Sequence, residues 1–163
     1  MKSLIYELCR WTAAAAVILF LMIAGGQNSK ISNADPQDVL KSVCEAADMT
    51  ALQPASNQIV KRLYGINPAD YEFCALYYPL TNMDVDEILL IRLSDSSQEP
   101  VVRNAADARI TGQKKAFESY GVGQMELMNN HSFYEAKSGF VLFVINSGSD
   151  EIHAAFITGL EGE

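Results

Sequence analysis

From Trp11 to Gly26 the sequence WTAAAAVILFLMIAGG carries no charge, whereas the rest of the chain mixes apolar and polar positions at helical and strand periods. Asp35-Pro36 opens the first of these patterns, with Asp35 placed to cap a helix and Pro36 at its first position. Val39, Leu40, Val43, Cys44 and Ala47 then share one helical face. A second helix is predicted over residues 53–64 from Ile59, Val60, Leu63 and Tyr64, and Gly65 stands where a left-handed cap belongs. Residues 71–79 are aromatic and alternate loosely, and residues 87–93 are mainly β-branched or aliphatic. They predict two antiparallel strands joined by residues 81–86. The longest helix is expected over 98–120, because Val102, Ala106, Ile110, Gln113, Phe117 and Tyr120 fall on one side. Gly121 and Gly123 end it, and a short amphipathic turn carries Met125 and Met128. Strands at 132–137 and 140–146 follow, linked by the tight-turn pair Ser138-Gly139. A helix from about Ser149, with Ile152, Ala155, Phe156, Gly159 and Leu160 as its stripe, closes the pattern.

Runs of neighbouring strands, rather than strict strand–helix alternation, point to an α+β fold. The expectation is a mainly antiparallel four-stranded sheet of two hairpins with helices packed on one face, preceded by an N-terminal hydrophobic helix. The other face is then solvated or covered by a partner. Tyr71, Phe73, Tyr77 and Tyr78 are the partner-binding candidates on it, because aromatic rings combine apolar area with polar tips. Packing within the sheet core is the competing reading of these residues.

The uncharged run divides the chain into an anchor or signal-anchor at 1–26, a polar linker at 27–35 and one domain at 36–160. A stretch of about 16 apolar residues is short for a span, which needs about 17–25. Trp11 suits an interfacial position, and Leu4, Ile5 and Leu8 extend the apolar helix backwards, so the reading is an uncleaved single-pass anchor through residues 11–26. Ala24-Gly25-Gly26 and Ser32-Asn33-Ala34 supply small-residue cleavage patterns, and secretion after signal cleavage is the alternative. Lys2 and Arg10 precede the run and Lys30 follows it, which places the C-terminal domain outside the cell.

Net charge is −8 over 163 residues. Removing residues 1–26 takes away Lys2, Arg10 and Glu7, so the domain is the acidic part and nucleic acid is excluded as a partner. Cys9, Cys44 and Cys74 lack metal or redox spacing. Free thiols are favoured over a Cys44–Cys74 bridge. Asp84, Asp86 and Glu87 form the candidate metal site, since neighbouring carboxylates supply oxygen ligands to a hard cation such as calcium. The glycine and distal glutamate of an EF-hand loop are missing, and solvation of an acidic loop is the plainer reading. His131 and His153 are read as surface histidines. Gly121-Val122-Gly123 is a helix stop, with no strand before it to make a phosphate loop. No cofactor motif and no catalytic constellation emerge.

Four short segments carry a family resemblance: LeuTyrGlyIle at 63–66, TyrTyrPro at 77–79, AsnMetAspValAspGluIle at 82–88 and PheGluSerTyr at 117–120. In order and spacing they resemble the bacterial family called domain of unknown function 4358, over about residues 36–160. The resemblance implies a small protein with a lipid-attachment cysteine or a single N-terminal helix, and it implies no activity or ligand. This chain departs from the lipoprotein members because no cysteine follows the apolar run. The functional expectation is a membrane-anchored extracytoplasmic domain that binds a protein or envelope component without catalysis. A small hydrolase or cation-dependent enzyme using residues 84–87, and an assembly factor acting as an oligomer, are the alternatives.

Overall fold

Asp35 accepts a hydrogen bond from the Gln37 N–H at 2.8 Å and so opens α1, Pro36–Ala46, with Pro36 in the first turn. The computed structural model describes residues 32–161, and the expected N-terminal helix and anchor lie outside them. Among the described residues no helix is long and apolar enough to cross a membrane. From Ser32 onward the chain forms one compact unit.

After α1 come β1 (Leu52–Pro54), α2 (Asn57–Tyr64), β2 (Phe73–Pro79), β3 (Glu87–Arg92), α3 (Glu99–Phe117), α4 (Val122–Asn130), β4 (Ser132–Lys137), β5 (Phe140–Ile145) and α5 (Ser149–Glu161). Gly65 ends α2 at φ 69°, a conformation glycine adopts without strain. Ser138 and Gly139 both have positive φ, 54° and 83°, as the two-residue β4–β5 turn requires. Gly121 is needed for a different reason. A Cβ there would lie 2.5 Å from Phe117 Cδ1, so the α3–α4 junction has no room for a side chain.

The sheet has five strands in the order β1-β2-β3-β5-β4, all antiparallel, and not the expected four. The extra strand is β1, Leu52–Pro54, which takes Gln53 and Pro54 from the start of the predicted second helix. Its three residues pair with Pro79, Tyr78 and Tyr77 at the sheet edge, where a proline is tolerated. The turn carrying Met125 and Met128 is itself helical, α4.

The larger correction concerns the layers, because helices cover both faces of the sheet. Every residue of β3 and β5 is buried. Ile88, Leu90, Phe140, Leu142 and Val144 pack with Val39 and Val43 of α1 and with Ile152, Phe156 and Leu160 of α5. Leu89, Ile91, Val141, Phe143 and Ile145 pack instead with Val60 and Tyr64 of α2, Val102, Ala106 and Phe117 of α3, and Met128 of α4. An uninterrupted apolar strand buries both rows of side chains, each worth roughly 1.5–3 kcal/mol, and a solvated face would forfeit half of that.

Strand register sets the two ends of the molecule. Glu87, Ile145 and Ser132 are neighbours at one end, and Arg92, Phe140 and Lys137 at the other. Ser32 is tied to the second end. Its N–H donates to the Ser138 carbonyl at 3.1 Å, and its hydroxyl donates to the Leu160 carbonyl at 2.7 Å. The loop from 80 to 86, which joins β2 to β3, lies at the opposite, far end.

Candidate functional site

Glu87 is the first residue of β3 and shares its face with Leu89 and Ile91, so strand alternation turns its carboxylate toward α3. It is fully buried. Arg109 reaches it from α3 through Nε, at 3.2 and 3.1 Å, and Nη2, at 2.7 Å. Gln113, one turn further on, donates Nε2 to the same carboxylate at 3.3 Å. Burial opposes the Arg109 charge, but the hydrogen bonds and charge of Glu87 outweigh it and hold the guanidinium above its ordinary pKa. Tyr64 of α2 completes the cluster. Burial, followed by the Glu87 charge, pushes its phenol well above the usual range. The Tyr64 hydroxyl and Gln113 Oε1 have no hydrogen-bond partner among the described residues.

Above this cluster lies a groove of about 240 Å³, bounded by Arg62 and Leu63 of α2, Tyr78 of β2, Asp84 of the far-end loop, and Arg109 and Gln113. The loop is braced internally, because the Thr81 hydroxyl donates to Asp84 Oδ2 at 2.8 Å and accepts the Met83 N–H at 3.2 Å. It is also braced from α4, where Gln124 Nε2 donates to the Met83 carbonyl at 2.9 Å. That bond brings the first turn of α4 against the loop. Leu80, Met83, Tyr120 and Val122 are all exposed here, Val122 to 83%. Among the described residues Val101 is the remaining exposed large hydrophobic side chain. It lies in the first turn of α3, toward the Ser32 end.

The three candidate metal ligands have separate partners. Asp84 is held by Thr81, Asp86 Oδ1 accepts from Asn146 Nδ2 at 3.0 Å, and Glu87 is held by Arg109. Burial raises the Asp86 carboxyl above its ordinary pKa. Among the described residues no group of three His, Cys, Asp or Glu side chains is placed to hold a metal ion. The four aromatic candidates divide between the two faces. Phe73 and Tyr77 pack on the α1/α5 side, and Tyr71 and Tyr78 on the α2/α3/α4 side. Tyr78 alone of the four lines the groove. His131 ends α4, and His153 contacts Glu135 and meets the Phe133 ring edge-on at 5.2 Å.

Cys44 and Cys74 are free. Cys74 packs on the α2/α3/α4 side, whereas Cys44 of α1 meets Tyr77 on the other. The sheet therefore separates the two thiols. Burial raises the Cys74 pKa from 9.0 to about 11. Below pH 9 the thiol is protonated in both folded and unfolded chains. Between pH 9 and 11 the unfolded thiol ionises first, and stability is expected to fall by roughly 2 kcal/mol from this group. Denaturation midpoints measured across that window should show the loss, and Cys74→Ala should remove this part of it.

Sequence reasoning singled out Asp84, Glu87 and Tyr78 but missed Arg62 and Arg109. The available signal was Glu87 itself, a charged residue opening the aliphatic run EILLIR on the inward face, which demands a buried cation nearby. No curated protein and no solved structure matches the chain. A family model described as Domain of unknown function (DUF4358) matches residues 45–146. The matched span runs from the end of α1 to just past β5 and includes the ion pair, the groove and the exposed apolar residues of the far end. Since it covers more than half of the sequence, the chain belongs to that family of domains of unknown function.

Proposed function

We propose that this protein is a membrane-tethered extracytoplasmic domain that docks a protein of the cell envelope, without catalysis, through its far end. The tether is the apolar run at 11–26, and chain continuity joins it to the domain at Ser32. One observation carries the docking surface: Leu80, Met83, Tyr120 and Val122 gather in the 80–86 loop and the α3–α4 junction, at the end opposite Ser32. Exposed apolar residues clustered around polar groups mark recognition surfaces, whereas isolated ones are ordinary. A partner seated on either sheet face is less favoured, because α1 and α5 on one side and α2, α3 and α4 on the other occupy those faces. A cation-dependent enzyme is less favoured as well, since Arg109 already neutralises Glu87.

Photo-cross-linking in intact cells tests this reading. A benzophenone amino acid in place of Val122 or Met83 is expected to give a discrete protein adduct, while the same group in place of Val101 gives none. Val101 is 54% exposed and lies toward the tethered end, so it controls for stickiness alone. Adducts formed equally at all three positions, or at Val101 alone, would refute the docking surface.

A further inference from the structure

We propose that the groove beside this surface is a carboxylate receptor, in which Arg62 and Arg109 take an acidic group of the docked chain while Leu63 and Tyr78 hold an apolar neighbour. The inference deepens the docking reading and rests on it for the identity of the ligand's carrier. Three observations support it. Arg109 presents its Nε–Nη2 edge to Glu87, and its Nη1 has no partner among the described residues, so a fixed guanidinium faces the groove with donors to spare. Arg62 is exposed in the last turn of α2 and forms no ion pair among the described residues. The groove holds one rim carboxylate, Asp84, and one of its oxygens accepts from Thr81. The two arginines thus offset Asp84 and Glu87 locally, in a protein of net charge −8.

Guanidinium groups match carboxylates in plane and spacing, and Arg109 is held in place before any ligand arrives. Pre-organisation lowers the cost of binding. Glu87 neutralises the formal charge of Arg109 and Asp84 balances that of Arg62, so recognition depends on directed donors more than on the field, and Arg62 supplies the guanidinium without an ion-pair partner among the described residues. A volume of about 240 Å³ suits a carboxylate with one side chain of leucine size, not a large cofactor. An acidic side chain and a C-terminal carboxylate share this chemistry.

The test uses the full chain in detergent micelles, with binding followed by NMR. The probes are N-acetyl-leucine, N-acetyl-leucinamide, N-acetyl-aspartate amide and inorganic phosphate. N-acetyl-leucine is expected to bind in the millimolar range, to shift the Nε–H signals of Arg62 and Arg109, and to bind about fivefold more tightly than its amide. Arg62→Gln should lose about the same factor, and Arg62→Lys should keep part of it. Tighter binding of N-acetyl-aspartate amide than of N-acetyl-leucine assigns the site to side chains, and the reverse order to chain ends. Equal binding of acid and amide, phosphate binding tighter than either acid, no binding of any probe, or unchanged affinity in Arg62→Gln would each overturn the receptor. Those failures would leave the Val122 cross-link intact. Loss of the cross-link with probe binding retained would sink the docking surface alone.

Discussion

Arg109→Met is expected to destabilise the chain by about 3–5 kcal/mol, because it leaves a fully buried carboxylate at Glu87 without its counter-ion. The substitution keeps most of the side-chain volume, so packing changes contribute little. Gln113 still donates to the carboxylate, but one amide replaces three short guanidinium contacts. The double variant Glu87→Met with Arg109→Met removes both charges and is expected to recover most of the loss, since a buried ion pair contributes little beyond an apolar pair of similar size. Denaturant unfolding of the detergent-solubilised chain, run as a double-mutant cycle, measures the coupling. A single-variant loss below about 1 kcal/mol would mean that water reaches Glu87.

Phe156→Ala should cost about 3–5 kcal/mol, the usual penalty for deleting a buried ring. Phe156 sits on α5 against one of the two helix-covered faces of the sheet, where the sequence pattern predicts only one. Ile88, Leu142 and Val144 line that face, and the cavity would open between them and α1. Were the α5 contact loose, the same substitution would cost under 1 kcal/mol, as at a surface position. The comparison therefore weighs the second layer directly.

Much of the fold was legible. The Asp35-Pro36 start, the Gly65 stop and the Ser138-Gly139 turn depend on local backbone chemistry, and each stands where the sequence puts it. β1 was not legible, because three residues ending in proline carry no period and take their conformation from β2. The two-faced burial was written in the sequence and passed over. EILLIR and FVLFVI do not alternate, and a strand with one wet face would. Element order alone suggested one layer of helices, although α1 and α5, far apart in sequence, pack together on the second face. Glu87 had the same history. Its place in an acidic run with Asp84 and Asp86 suggested a loop ligand, but strand alternation turns it inward to Arg109. Arg62 and Arg109 carry no motif, and their convergence on one groove depends on tertiary packing of α2 beside α3.

Helices seal the sheet on both faces, which leaves recognition to the far end. Native-state amide hydrogen exchange of the full chain tests this most directly. Amides of α1 and α5 are expected to open only with the strands, at the same free energy as those of β3 and β5. Exchange of α1 and α5 at much lower free energy, with the strands still protected, would show a detachable layer and a sheet face open to a partner.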